Sequence, residues 1–580
     1  MVFDYYKFKI EIKNVKFTSD EGIVFPKTAI ISFIAEDQEV ISVDLFGHIT
    51  SEEIYKKIEI GEALNLNHCY VKNFSLSIYR GNRNLNKNEY IKLKGFSARH
   101  SFFDSKSGTD FSFAEFEDGD LDFEYSHFAR GKVSFNSTII RNGLVNFSNV
   151  FFRDGNLDFA NCHFGKVEVY FKNSVINDGV KDFQYTEFGT GLITFANTEF
   201  GSGEVSFINT HFNEGNVSFK VARFGEGKID FRYAKFGFGD ISFERTEFGD
   251  CKVDFRTVEF NDGKVNFNRA VFGDGDVNFE GAELKNGKFS FKRAILGSGD
   301  FNFELVEFDG VDVVFDRTDF GQGPVSFHES KFRQLSLQSC HLDHYFDLRV
   351  ARCEYMDLSD TIVRDIIDLK PYDFAIDVSI LNLAGMRLLG TIYIDWQNNR
   401  IKEMITRQTE TSEAEKAEQF RVLKENFNQT GQYSDEDKSY VEFKRHEARS
   451  RLEKSLKKNK YNALWYYPIH GFKWLVLDKA GLYATDPLRV LFSMLGWYVL
   501  FSFIYLFLFS IGVSEIHSST GYELPAVARA FYHSAITFLT IGYGDHFPTG
   551  VSRIFSSIEG FAGMFLMAYF TVSLVRKILR

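Results

Sequence analysis

The sequence predicts a multidomain chain: a β-helix wound from a 12-residue repeat, a helical hairpin, and an all-α membrane unit with two spans and a re-entrant helix. Three observations predict it. Phenylalanine recurs every 12 residues between 109 and 332. The period fades after 332, and by 401 the pattern is helical. Two stretches, 490–513 and 554–575, are long and nearly free of charge.

Composition sets the outer bounds. The 580 residues include 67 Phe but only 7 Pro, 5 Cys and 4 Trp. A disulfide-stapled scaffold, a collagen-like chain and a Pro-rich disordered chain are thereby excluded. A net charge of −12 argues against a general nucleic-acid binder, and no nucleic-acid partner is expected. The cysteines (Cys69, Cys162, Cys251, Cys340, Cys353) are odd in number and form no CxxC, which suits a reducing compartment. Residues 1–10 contain Asp4, Lys7 and Lys9 and no apolar core, so no signal peptide is expected and the region before the spans should be cytoplasmic.

The elements follow in order. Residues 1–108 alternate in places, as in Phe8–Ile12 and Ile41–Leu45, and read as a β-rich N-terminal cap. Residues 109–332 carry the repeat. Phe207, Phe219, Phe231, Phe243, Phe255 and Phe267 form one series, and Phe212, Phe224, Phe236, Phe248, Phe260 and Phe272 a second. The unit V-x-F-x-x-A/T-x-F-x-x-G-x places pairs of side chains on one face of short strands. Turns lie between, with glycine expected where φ is positive (Gly203, Gly215, Gly227, Gly239). A fixed period with one apolar face per unit is the signature of a solenoid. A two-residue turn hardly reverses a chain across a Phe-filled gap, whereas a four-sided, 24-residue coil needs only right-angle corners. The square coil is therefore expected, stacked at about 4.8 Å per turn.

These residues resemble the pentapeptide-repeat family, which implies a square, right-handed β-helix with a small residue and a Phe or Leu facing inward on each side. The alternating 5 + 7 spacing departs from that family's strict five. The segment is acidic outside. Gly273-Asp274-Gly275-Asp276 looks locally like a calcium repeat, but Lys228, Lys264 and Lys288 occupy the corresponding slot in other units. The resemblance also permits mimicry of nucleic-acid charge. The reading kept is a solvated acidic exterior, with an unidentified cytoplasmic ligand or protein as its partner.

Residues 333–400 keep short apolar strands such as Leu335–Leu337 and read as irregular closing coils. Cys340, His341, His344 and Cys353 suggest zinc only weakly, because neighbours on a strand face opposite sides. Residues 401–470 form the hairpin linker. One helix begins near Ser412 and ends at Gly431, and the next is expected to be capped by Ser434-Asp435-Glu436. Lys454, Lys457, Lys458 and Lys460 end it as a basic cluster fit for anionic headgroups or for solvent. In and beside the interfacial segment 471–489, Trp465, Tyr466, Tyr467 and Trp474 look like an aromatic belt.

Residues 490–580 carry the function. Between the spans, Pro525–Leu539 is too short and polar to cross a membrane, and it leads into Thr540-Ile541-Gly542-Tyr543-Gly544-Asp545. Non-helical backbone survives at membrane depth only where protein buries it or where it lines an aqueous path. Two glycines around Tyr543 allow successive carbonyls to turn toward one axis, and four such strands would replace the hydration shell of K⁺. Span, re-entrant helix, T-x-G-Y-G and span resembles the pore of two-helix potassium channels. The resemblance implies a homotetramer with Thr540, Ile541, Gly542, Tyr543 and Gly544 as the ion-binding filter, Asp545 at the outer mouth, and the Tyr543 ring bracing outward. Leu539 precedes Thr540 where many members have a second Thr. Tyr532 and His533 occupy the positions of an aromatic pair. His546 is expected to be solvated.

Glu559, inside a span, is expected either to hydrogen-bond behind the filter or to lie near the headgroups. Gly560 and Gly563 are gating-hinge candidates, with close helix packing as the other reading. Lys473, Lys479 and Arg489 before the first span, and Arg576, Lys577 and Arg580 after the second, place both termini in the cytoplasm of a plasma membrane. Membrane lipids are the remaining partner.

The expectation is a K⁺-selective channel, not an enzyme, with no cofactor and no metal beyond permeant K⁺. The solenoid is expected to gate it. With no Arg-rich voltage-sensing span, its conductance–voltage curve should be shallow. The alternatives are a membrane-anchored scaffold or sensor that binds a macromolecule, and a non-selective cation channel.

Overall fold

The computed structural model describes residues 5–117, 119–459, 461, 463–521 and 524–579. Asp4, Lys460 and Arg580 lie outside the described residues. The chain forms two compact units, Met1–Gln408 and Thr409–Arg580.

The first unit is the solenoid, of about 14 turns between Gly47 and Tyr393. One coil shows its construction. The strands Glu199–Phe200, Gly203–Ser206, His211–Phe212 and Val217–Ser218 follow one another around four sides. Each pairs in parallel with the strand 24 residues later: Glu199 with Arg223, Val205 with Ile229, His211 with Lys235, Val217 with Ile241. The coil is therefore the 24-residue square.

Residues 24 apart stack and residues 12 apart cross. Phe207 lies 4.7 Å from Phe231 with planes 6° apart, and 5.7 Å from Phe219 at 84°. Both geometries suit the ring quadrupole, so the core gains from aromatic pairing beyond burial alone. The small A/T position is buried too, and where it is Thr the hydroxyl donates to a main-chain carbonyl of the preceding coil. Thr210 donates to Phe183 at 2.7 Å and Thr198 to Phe171 at 2.6 Å. These bonds satisfy polar atoms that would otherwise be buried at a cost.

The corners depart from expectation. Gly203 (φ 119°) and Gly227 (φ 134°) have positive φ as foreseen, but Gly215 and Gly239 do not. What Gly239 supplies is clearance: an added Cβ would fall 2.2 Å from the Gly215 carbonyl oxygen of the coil beneath. The regular left-handed position is instead the second residue of the x-x turn, every 12 residues, as at Asn209 (φ 53°), Val221 (φ 59°) and Tyr233 (φ 59°).

Both ends are modified. Antiparallel strands Lys7–Lys13, Thr28–Ile34 and Val40–Thr50 lead into the stack, and Gly47–Thr50 pairs in parallel with Cys69–Lys72. Helices α1 (Ser51–Glu59) and α2 (Leu76–Asn82) are inserted in the first turns. After 331 the coil step becomes 21 and then 25 residues, from Lys331 to Arg352 to Asp377, and α3 (Ile401–Thr406) follows. Cys340 and Cys353 are buried, the Cys340 thiol donating to the Phe315 carbonyl (3.0 Å), while His341 is exposed. Among the described residues no group of three or more His, Cys, Asp or Glu is placed to hold a metal ion.

One buried pair makes this unit sensitive to acid. Tyr5 Oη lies 2.6 Å from His127 Nε2. Burial holds the His127 imidazole well below its usual range, at about 3. The folded form then refuses a proton that the unfolded chain accepts near 6.5, so stability present above that pH is lost as pH falls toward 3. Between pH 6.5 and 5 the expected loss from this group is about 2 kcal/mol. His127→Asn should flatten that part of the pH profile of the urea unfolding midpoint. Equal profiles for variant and wild type would remove the assignment.

In the second unit, α4 (Glu413–Gln429) opens with a capping box. The Glu415 N–H donates to Ser412 Oγ and the Ser412 N–H to Glu415 Oε2. Gly431 (φ 73°) ends the connection, as expected. Helix α5 (Tyr433–Lys458) starts earlier than expected, after Gln432, with no side-chain cap. Asp435 and Glu436 therefore lie in its first turn, where they favour the helix dipole. The two helices pack through Phe420, Leu423 and Phe427. Helix α6 (Ala463–Lys473) carries Trp465, Tyr466 and Tyr467 exposed, then a π-helical turn, Trp474–Lys479, and a short 3₁₀ turn lead to the first long apolar helix.

Candidate functional site

Helix α7 (Pro487–Ser510) begins at Asp486, whose carboxylate accepts the Arg489 N–H (3.1 Å), with Pro487 at the first helical position. Helix α9 (Ser552–Ile578) is the second long apolar helix. Both are long and apolar enough to cross a membrane. At 1.5 Å per residue, the 24 residues of α7 exceed a hydrocarbon core of about 30 Å. Between them α8 (Ala526–Phe538) has 13 residues, too few to span.

The chain leaves α8 at Leu539 and runs without regular structure through Asp545. Its φ is positive at Thr540 (55°), Gly542 (62°) and Gly544 (77°). An added Cβ at either glycine would meet nothing within 4 Å in the single chain. Thr540 through Gly544 are all exposed there, Tyr543 at 71%. The segment is held from behind. The Ile541 N–H donates to the Ile536 carbonyl (2.9 Å) and the Thr540 N–H to Thr537 (3.1 Å).

Asp545 is tied from three sides. Tyr532 Oη donates to Asp545 Oδ2 (2.8 Å), His546 Nδ1 lies 3.1 Å from the same oxygen, and the Ser519 N–H donates to the Asp545 carbonyl (2.8 Å). Just beyond, Ile516–Ser518 pairs antiparallel with His546–Pro548. His546 is buried, not solvated as expected, because this hairpin and the Tyr532 ring, 5.1 Å away, cover it. Tyr532 and His533 part company. Tyr532 reaches Asp545, whereas His533 Nε2 lies 2.8 Å from Ser556 Oγ on α9.

Glu559 is fully buried behind α8 rather than at a helix end. Tyr505 Oη of α7 donates to Glu559 Oε2 (2.6 Å), and Ser534 Oγ of α8 donates to Oε1. One carboxylate thus joins all three helices. Tyr505 Oη also lies 3.1 Å from Ser556 Oγ, so His533 enters the same network. Nothing in the sequence marked Tyr505, Ser534 or Ser556, since lone hydroxyls on apolar helices have no spacing signature.

Gly563 is a point of close approach. A Cβ there would lie 2.0 Å from the Phe538 carbonyl oxygen at the end of α8. At Gly560 the nearest atoms are 3.9 Å away, an ordinary contact.

The C-terminal end of α9 meets the hairpin. Arg576 Nη2 lies 2.9 Å from Asp437 Oδ1, Lys577 Nζ lies 2.6 Å from Asp437 Oδ2, and Arg576 stands 4.4 Å above the Tyr440 ring. Glu436 adds a longer contact to Arg576 at 3.4 Å. Nearby, Tyr569 Oη donates to the Leu477 carbonyl (2.9 Å) and accepts the Ala484 N–H (2.7 Å), pinning the turn that joins α6 to α7. Arg445 of α5 pairs with Asp478 in the same joint (2.6 Å).

Residues 493–580 match the protein-family model described as ion channel, Ion_trans_2. No similar curated protein and no similar solved structure was found for the chain. The C-terminal region is an ion-channel domain in a membrane protein, and a β-solenoid precedes it.

Proposed function

We propose that four copies of this chain form a K⁺-selective channel, with Thr540 to Gly544 of each copy lining the ion path and Asp545 at its outer mouth. The observation that carries this reading is the filter segment itself: positive φ at Gly542 and Gly544, on a ribbon fixed from behind and bare on its other side. A bare ribbon of polar backbone between two membrane helices is costly unless it lines water or meets copies of itself. Four such ribbons would offer stacked oxygen rings to a dehydrated monovalent cation, with Thr540 innermost and the Tyr543 rings braced by neighbouring copies. Conduction is passive. No cofactor is used, and the permeant ion is the only metal. The channel lies in a plasma membrane with both termini in the cytoplasm, as the flanking Lys and Arg favour.

The test is a reconstituted bilayer with unequal K⁺ and Na⁺. The reversal potential should follow the K⁺ gradient. A potential that follows both ions would indicate a non-selective pore, and absence of flux would leave the scaffold reading.

Gating through the cytoplasmic region has a physical route in the hairpin. Asp437 is buried and binds two basic groups at the end of α9, the helix whose movement would open or close the path. Arg576 and Lys577 stay partly exposed, so losing their charge-assisted bonds to Asp437 costs about 1–2 kcal/mol. Asp437→Asn should therefore change single-channel open probability about tenfold, the equivalent of ~1.4 kcal/mol. Asp437→Glu, which keeps a carboxylate for both Arg576 and Lys577, should retain most of the wild-type behaviour. Unaltered open probability in Asp437→Asn would exclude this route.

A further inference from the structure

One corner of the solenoid carries a column of like charge. Arg245, Arg269, Arg293 and Arg317 are 24 residues apart, so they occupy the same position on four successive coils. Coil spacing there is set by rings such as Phe243 and Phe267, 4.6 Å apart. All four arginines are exposed, and among the described residues none has an acidic group within ion-pair distance. The acids beside them are engaged elsewhere: Glu244 with Lys220 (3.0 Å) and Asp316 with Lys292 (2.8 Å).

Local backbone chemistry does not account for arginine here. Each of the four has φ between 57° and 59°. Asn149, Asn173 and Asn197 fill the same corner in earlier coils, and Asn is the residue that tolerates that conformation best. Four guanidinium groups one rung apart also repel one another, which an approaching anion would relieve.

The same side of the square ends, at its other edge, in the opposite charge. Glu226, Asp250 and Asp274 stand one above the next, exposed, with the Asp274 N–H donating to Asp250 Oδ1 (3.0 Å). Among the described residues none of these carboxylates forms an ion pair. Between the two edges, the side exposes Glu247, Val271 (39%), Ile295 (47%) and Asp319 on successive rungs. Both columns are built on the same coil and so share one rise. Arg245 stands on the coil of Asp250 and Arg269 on that of Asp274, so these two rungs of one copy match the carboxylates of another at equal height, while Arg293 and Arg317 extend the column past Ser298 and Gln322.

We infer that the arginine column docks onto the Glu226–Asp250–Asp274 column of a neighbouring copy of this chain. Two different edges meet, so the contact is head-to-tail. In a ring of four with this side turned inward, the arginine edge of each copy reaches the acidic edge of the next and the ring closes. Val271 and Ile295 then face the enclosed interior, with Glu247 and Asp319 on the rungs to either side. Guanidinium–carboxylate forks suit such a contact because each can be bidentate.

This inference rests on the tetrameric reading, and the test separates the two. Full-length protein carrying Arg269→Cys with Asp274→Cys is oxidised in membranes, and Arg245→Cys with Asp250→Cys serves as an independent pair. The native cysteines are all buried. Cross-linked species up to four chains are expected from both pairs. Cross-linking by the first pair should fall at least about tenfold when Arg245 and Arg293 are also changed to Glu. Native mass measurement runs in parallel. A tetramer with no cross-link from either pair overturns the docking and spares the channel, whereas a monomer overturns both. A tetramer whose cross-linking is blocked by added tripolyphosphate but unaffected by the Glu substitutions would assign the column to a soluble polyanion instead.

Discussion

Gly542→Ala should abolish K⁺-selective flux while leaving the protein folded and its oligomeric state unaltered. The reason is conformational. Gly542 has φ of 62°, where a side chain costs about 1–2 kcal/mol. In an assembly of four the same strain occurs four times around one axis, about 4–8 kcal/mol in all. At 1.4 kcal/mol per tenfold, the conducting arrangement would fall by at least about a hundredfold in population. No clash within the chain contributes, since nothing lies within 4 Å of the added atom. Gly560→Ala is the matched control, because Gly560 lies within a helix and has only ordinary neighbours at 3.9 Å. Liposome flux in mixed K⁺ and Na⁺ would decide it. Equal selectivity in Gly542→Ala and wild type would remove the filter assignment.

Glu559→Ala should cost about 2–4 kcal/mol, the largest stability effect expected in the membrane unit. It takes away an acceptor used by Tyr505 and Ser534 and leaves a void at the junction of three helices. Glu559→Gln keeps the volume and one carbonyl, and the hydroxyls can rotate to meet the amide. That variant should lose about 1 kcal/mol or less. Thermal unfolding of the detergent-solubilised protein separates the two. If alanine and glutamine are equally mild, the network does not hold α7, α8 and α9 together. The same pair bears on the proposed conduction, because Ser534 lies on α8, which runs into the Thr540–Gly544 segment.

The repeat made the solenoid legible because its physics is periodic. Phe207 and Phe231 stack, so a period of 12 on four sides required coils of 24. Corners were legible only in part. Glycine serves both positive φ and tight approach, and sequence does not tell Gly203, which has the first, from Gly239, which has the second. In the membrane unit, helix lengths and the Gly-Tyr-Gly spacing were readable, since membrane thickness and backbone freedom are general constraints. The setting of Glu559 was not readable, because its partners come from residues 25 and 54 positions away. His546 was misjudged for the same reason, as its cover is a hairpin with a strand far upstream. The ion pairs of Asp437 with Arg576 and Lys577 join residues about 140 apart, and no local pattern announces them.

The crossed Phe stacks have a consequence for how such a chain can change length. Twelve residues advance the winding by half a turn, and 24 by a whole one. Deleting 24 residues shortens the column by one storey of about 4.8 Å and leaves every later side where it was. Deleting 12 keeps the aromatic interior equally filled, yet swings everything upstream through half a revolution. Growth and loss in this protein are therefore quantised by orientation, not by what the interior tolerates.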